Sequence, residues 1–153
     1  MKSLCIVPCG KRKIWDKVPG AGPQEAKDVY IGPYASKCIQ YAQLFYPKSW
    51  CILSAKFGFL FPSDIISETY NVTFKAKNTS PISTTELLTQ VHEKGFYNYE
   101  KIVVLGGITY LKIVKYLFDR KQIWKPLNGL RLGEAIRKLN EAIITGVPLK
   151  MNV

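Results

Sequence analysis

The sequence predicts a single α/β domain, residues 1–153, in which a mainly parallel sheet is covered by helices in three layers. Three observations predict it. Short, largely apolar runs at residues 4–8, 50–53 and 101–105 read as buried strands of a parallel sheet, which carry near-continuous apolar side chains rather than alternation. Longer stretches with helical spacing fall between and after them. The length of 153 residues suits one domain whose core needs no disulfide or metal.

The elements follow in order. After the first strand, residues 14–28 contain Pro19, Gly20, Gly22 and Pro23, a loop too long and breaker-rich for a plain connection, and such loops are functional or mobile. Residues 33–46 form the first predicted helix, with Tyr34, Cys38, Tyr41, Ala42 and Phe45 on one face. Pro33 suits its first turn and Pro47 stops it. A second loop, residues 75–81, carries Lys75, Lys77 and Asn78, and either loop is placed to fold over a ligand. Ser83 followed by Glu86 has the capping-box pattern. It opens a helix with Leu87, Leu88 and Val91 inward, His92 on its surface and Gly95 as its stop. Residues 108–118 and 131–144 complete the set, the last with Leu132, Ala135, Ile136, Leu139 and Ile143 on its buried stripe.

Composition narrows the function classes. At 47% hydrophobic, 12% aromatic and 22% charged, the chain is neither disordered nor collagen-like, and no apolar run is long enough to cross a bilayer. Residues 4–7 are too short for a secretory h-region, so a cytoplasmic location and no membrane partner are expected. Lysine and arginine number 22 against 11 acids, a net charge of +11, which favours polyanionic partners. Residues 101–153 alone supply +7. Cys5, Cys9, Cys38 and Cys51 lack the paired spacing of a zinc site and His92 is the one histidine, so no metal and no cofactor is expected. Cys9 stands apart, because Gly10, Lys11, Arg12 and Lys13 follow it, a neighbourhood able to favour a thiolate, or else it is a structural thiol, since no general base sits nearby in sequence.

In open parallel sheets, ligands gather beyond the carboxyl ends of the strands. The first strand runs into Cys9-Gly10-Lys11-Arg12-Lys13, the second into Ser54-Ala55-Lys56-Phe57-Gly58 and the third into Gly106-Gly107-Ile108-Thr109-Tyr110. Each offers glycine for close backbone approach with a cation, a hydroxyl or free amides at a helix start, the makings of an anion cradle. Glycine spacing fails both the Walker and the dinucleotide fingerprints, and no nucleophile elbow is present. Phe57, Phe59 and Phe61 are candidates for stacking a base, or for core. Asp64 is the carboxylate best placed to hydrogen bond a base edge or move a proton, or else to cap the turn after Pro62.

Taken together, Pro8-Cys9-Gly10-Lys11-Arg12-Lys13, Tyr30-Ile31-Gly32-Pro33-Tyr34, the segment from Leu53 to Leu60 with Pro62, Asp64 and Tyr70, and Gly106-Gly107 with Tyr110 resemble the ordered motifs of a family of small uncharacterised domains similar to the YaaA peroxide-stress proteins. The likeness spans roughly residues 4–130 and is most specific in its centre. YaaA-type proteins are associated with DNA binding and limitation of oxidative DNA damage, so the resemblance implies a nucleic-acid setting. Cys9-Gly10-Lys11 stands where that family has serine-proline-alanine-lysine, so Lys11 transfers better than Cys9. A fainter likeness of Pro8, Cys9 and Lys13 is to a segment of archaeosine synthases, which modify a deazaguanine base in transfer RNA.

The expected function is a nucleic-acid-associated protein with a phosphate and nucleobase crevice at the strand ends, its partner a nucleic acid or phosphorylated nucleotide. Lys56 and Asp64 are the expected catalytic pair, and Gly10, Lys11, Lys13, Tyr30, Ser54, Gly58, Gly106, Gly107 and Tyr110 the ligand-binding set. The alternative is an enzyme of glycosidase or transferase type acting on a free nucleotide or modified nucleobase. Oligomeric state is not legible in the sequence.

Overall fold

The computed structural model describes residues 2–151. Its elements in chain order are β1 (Ser3–Pro8), α1 (Ile14–Lys17), β2 (Gln24–Glu25), α2 (Pro33–Phe45), β3 (Trp50–Ser54), β4 (Gly58–Leu60), β5 (Ile65–Ile66), α3 (Thr84–Glu93), β6 (Lys101–Val104), α4 (Ile108–Leu117), β7 (Gln122–Trp124) and α5 (Leu132–Thr145). Five strands form one sheet in the order β4-β3-β1-β6-β7. All its pairings are parallel except β3 with β4. The fold is therefore mixed α/β with a mainly parallel five-stranded sheet and five helices.

The three apolar runs are the three central strands. Their alternate side chains enter two different apolar clusters, as the two-residue period of a strand requires. Cys5, Val7, Ile52, Val103 and Leu105 pack with Cys38, Tyr41 and Ala42 of α2 and Ala135, Leu139 and Ala142 of α5. Leu4, Ile6, Leu53, Ile102 and Val104 pack with Leu87 and Val91 of α3 and Leu111, Val114 and Leu117 of α4. Having both faces occupied explains why the runs show no polar alternation.

Helix boundaries follow local chemistry. Gly32 precedes α2 and Pro33 opens it, where a missing N–H costs nothing. Ser83 Oγ accepts the Glu86 N–H at 3.1 Å at the start of α3, and Gly95 follows that helix at φ 68°. Exposed His92 lies in the last turn of α3.

Several expectations are corrected. Residues 14–28 are not an open loop: they hold α1 and β2, with Trp15 and Ala26 buried in the core. β2 pairs with β5 in a separate two-stranded sheet, and the Trp15 indole donates to the Gly22 carbonyl at 2.9 Å. The segment following β3 turns straight back as β4, so Phe59 is a core residue, edge-on to Phe96 at 5.3 Å. Leu132, expected on the buried stripe of α5, is 63% exposed. It is the first residue of its helix, one turn short of where α5 meets the core through Ala135.

Candidate functional site

The chain leaves β1 to build β3 on one side of it, and later builds β6 on the other. Strand order therefore reverses at the β1–β6 pair, where connections diverge and leave a crevice beyond the strand ends. A cleft of about 1000 Å³ lies there, at the upper end of the roughly 300–1,000 Å³ typical of ligand sites. Cys9, Gly10, Lys11 and Lys13 line it after β1, and Gly106, Gly107 and Tyr110 after β6. The opposite walls come from residues 71–79, including Asn71, Thr73 and Lys75, and from Asn128 and Leu132 at the entrance to α5.

Two of the three expected strand ends thus converge, bringing together Gly10, Lys11, Lys13, Gly106, Gly107 and Tyr110. Tyr30 and Ser54 do not line the cleft, but belong to a hydrogen-bonded group beside it. Ser54 Oγ lies 3.2 and 3.1 Å from the amides of Lys56 and Phe57, which donate to it, and 2.8 Å from the Tyr70 hydroxyl. With both its lone pairs taken by amides, Ser54 gives its own proton to Tyr70. Tyr70 also hydrogen bonds Tyr30. Burial, then the neighbouring Cys9, pushes the Tyr70 hydroxyl up to about 12. Burial, then Tyr70, pushes Tyr30 up as well, so both hydroxyls are neutral at physiological pH.

Lys13 joins this group to the cleft. It is 4% exposed. Its ammonium donates to the Lys11 carbonyl at 3.0 Å and lies 4.4 Å from the centre of the Tyr70 ring. Its backbone is pinned by a bridge to Tyr30 and by the Asp16 carboxylate, which accepts the Lys13 N–H at 2.8 Å. No carboxylate pairs with its side chain; among the described residues the ion pair within 4 Å is Lys27–Glu25, on the surface. Desolvation lowers the Lys13 pKa from its ordinary value, opposed by Cys9 and then Asp16. One carbonyl and one ring face are poor compensation for a buried cation, and two of its N–H donors have no acceptor among the described residues.

The start of α4 reinforces the positive field. Its N-cap, Gly107, has no side chain to cap the first turn, leaving amides and the positive end of the helix dipole free for an anion. Gly106 is required there by packing: a Cβ would lie 2.7 Å from the Tyr110 Cβ and 2.8–2.9 Å from its ring. Tyr110 is held in place by Cys9, its hydroxyl 3.2 Å from the Cys9 sulfur and 3.1 Å from the Cys9 carbonyl. Phe74, from the opposite wall, meets its ring edge-on at 5.8 Å. Tyr34, on the first turn of α2, also lines the cleft and donates to the Leu105 carbonyl.

Lys56, Gly58 and Asp64 stand away from this cleft. The Lys56 ammonium packs over the Phe57 and Tyr70 rings, 5.2 and 5.6 Å from their centres. Asp64 accepts the Phe61 N–H at 2.7 Å through its carboxylate, closing the turn after β4. Asp64→Ala is accordingly expected to lower stability by about 0.5–1.5 kcal/mol, the worth of one hydrogen bond. Urea unfolding measures this, and ligand affinity unaltered in the same variant would place Asp64 in turn closure alone.

Residues 14–28 contribute nothing to the cleft wall; residues 71–79 stand there instead. Lys75, Asn78 and Thr79 lie in the loop legible at residues 75–81, whereas Asn71 and Thr73 give no signal beyond polarity. Asn128-Gly129 reads locally as a turn dipeptide. The grouping of groups able to meet an anion is thus a product of topology.

The fold and the cleft define a small α/β domain with a basic, tyrosine-lined site at the switch point of its sheet. Residues 4–141 match the family of unknown function DUF6884, and the chain belongs to that family. It is also 43% identical over 145 residues to the uncharacterized protein YfjM of Bacillus subtilis (strain 168), covering 94% of this chain and 96% of that one. No solved structure matches.

Proposed function

We propose that this is a nucleic-acid-associated protein whose cleft binds one phosphorylated nucleotide unit. The phosphate would sit against Lys13, Lys11 and the first amides of α4, and the base toward Ile108 and Leu132. The observation that carries this reading is Lys13, a buried cation beside the cleft with no counter-ion among the described residues, which an anionic ligand would supply. Ile108 and Leu132 line the mouth and are 60% and 63% exposed, an apolar pair whose burial against a ring would be favourable. The likeness to YaaA-type motifs points to the same setting. We take the two helix pairs as outer layers of a three-layer domain that holds the cleft rigid, and place the function in the cytoplasm.

A cleft of about 1000 Å³ has room for that unit as a free nucleotide. The net charge of +11 supports the unit belonging to a nucleic acid. Thermal unfolding with nucleosides, nucleoside monophosphates and inorganic phosphate tests the first, since a ligand of the folded state raises the midpoint. Monophosphates are expected to raise it and nucleosides to leave it in place; equal shifts by both, or none by either, would sink the phosphate site. Short oligonucleotides titrated between low and physiological salt test the second, where a steep fall in affinity is expected of a backbone-binding surface. Lys56→Ala is the comparison variant. Standing outside the cleft, it is expected to change monophosphate affinity by no more than about twofold, the scale of screened surface charge.

A further inference from the structure

The lining of the cleft is one-sided in charge. Lys11 and Lys13 stand on the wall that follows β1 and Lys75 on the wall built by residues 71–79, and no carboxylate is among the lining residues, although the chain has 11 acids. The ammonium groups of Lys11 and Lys75 have no hydrogen-bond or ion-pair partner among the described residues. Like charges on two walls of one cleft raise its positive potential, and an anion long enough to meet both walls relieves that repulsion.

The second wall is an ordered turn, not a trailing loop. Thr79 Oγ1 accepts the Thr73 N–H at 3.1 Å and donates to the Ala76 carbonyl at 2.6 Å, while Thr73 Oγ1 accepts the Lys75 N–H at 3.3 Å. Phe74, the residue before Lys75, is seated edge-on against the Tyr110 ring. Lys75 is thus presented to the cleft from a fixed backbone. Ile108 and Leu132 are the exposed large apolar side chains of the lining. One apolar pair offers a place for one base, whereas cations stand on two walls.

We propose that the cleft selects a nucleotide with two adjacent phosphates, a nucleoside diphosphate free of metal, with Lys11 and Lys13 on the first phosphate and Lys75 on the second. This rests on the reading of the cleft as a nucleotide phosphate site and adds the class of its ligand. A diphosphate carries one charge more than the roughly −2 of a phosphomonoester, and Lys75 is the cation that meets it. The lining has no carboxylate or histidine to hold a divalent cation, so lysines neutralise the phosphates directly.

Calorimetric titration of the full chain with AMP and ADP in EDTA reads this selectivity. ADP is expected to bind about tenfold more tightly than AMP, the low end for a hydrogen bond between charged groups. Lys75→Gln should remove that preference by weakening ADP, with AMP affinity kept within about twofold. Lys77→Gln, on the same turn but outside the lining, should keep the preference. On the unaltered protein, inorganic pyrophosphate should displace AMP at about one-tenth of the concentration that inorganic phosphate needs, a test independent of any variant. Excess magnesium should weaken ADP binding, because the complex has lost charge. An ADP-to-AMP ratio near one, a preference reduced equally by the two lysine variants, or ADP binding that requires magnesium overturns the proposal. So does tighter binding of a 5′-phosphorylated diadenylate than of ADP, which would place successive phosphates of a strand in the cleft. If AMP still raises the unfolding midpoint when the ratio is near one, the phosphate site survives and the diphosphate alone is lost.

Discussion

Replacing Lys13 by methionine is expected to raise stability at neutral pH by about 1 kcal/mol, within the range of single stabilising substitutions, while abolishing monophosphate binding. The two effects have one cause. Lys13 is 4% exposed, its ammonium has one carbonyl acceptor, and no carboxylate among the described residues pairs with it. The folded protein therefore bears a desolvation penalty that the unfolded chain does not. Methionine keeps most of the side-chain volume and has no charge to bury. Because desolvation lowers the native pKa of Lys13 below the ordinary 10.5, the unfolded state binds more protons between those two values, and stability rises with pH across that interval. The penalty is fullest below the native pKa. The advantage of the methionine variant should thus be greatest at neutral pH and shrink as pH climbs toward 10.5. Paired urea titrations of the two proteins across that range measure the difference, in which the ionisation of other groups cancels. A variant that is less stable at neutral pH and binds monophosphates as before would show Lys13 to be a structural residue.

The parts of the fold written in local pattern were legible, and those made by long-range pairing were not. The runs at residues 4–8, 50–53 and 101–105 are apolar because both sheet faces are covered, and that condition shows in sequence. β7 has three residues, starts exposed at Gln122 and owes its extension to pairing with β6, none of which shows in its composition. Likewise α1 and β2 sit among prolines and glycines that read as loop. They are ordered by contacts such as Ile14 N–H to the Val29 carbonyl at 2.8 Å and Ala26 N–H to the Asp64 carbonyl at 2.7 Å.

The site divides along the same line. Inspecting residues beyond the strand ends singles out Gly10, Lys11, Lys13, Gly106, Gly107 and Tyr110, which line the cleft because β1 and β6 flank the switch point. The same inspection at β3 led to Lys56, Gly58 and Asp64, which lie elsewhere because β3 does not cross over: it turns back through residues 55–57 into antiparallel β4. The inspection presumes a parallel crossover, and an edge hairpin defeats it. Nothing local distinguishes buried Lys13 from exposed Lys11 either. The cover over Lys13 comes from Tyr30 and Tyr70, seventeen and fifty-seven residues away in sequence.

Gly58→Ala is expected to destabilise the protein by about 2–3 kcal/mol, the sum of backbone strain and a broken hydrogen-bond clamp. Gly58 lies at φ 75°, in the left-handed region where a Cβ is penalised. A Cβ there would also stand 2.2 Å from the Gln90 side-chain oxygen and 2.7 Å from its amide nitrogen. That amide cannot simply swing away. Its oxygen accepts the Phe59 N–H at 2.7 Å and its nitrogen donates to the Phe57 carbonyl at 2.9 Å, so α3 fastens the turn that launches β4. Gln90→Ala alone should cost about 1–2 kcal/mol by orphaning both backbone groups. In the double variant the clash is gone and the clamp is already lost, leaving only the strain. The double variant should therefore be clearly more stable than the sum of the two single losses implies, a coupling expected only of residues in contact. Urea midpoints of the four proteins give that coupling directly. Simple additivity would mean that the cost of Gly58→Ala lies wholly in its backbone and that Gln90 yields without loss. Because the turn lies away from the cleft, monophosphate affinity of the folded fraction should be unchanged throughout, which separates this edge of the sheet from the switch point where binding is proposed.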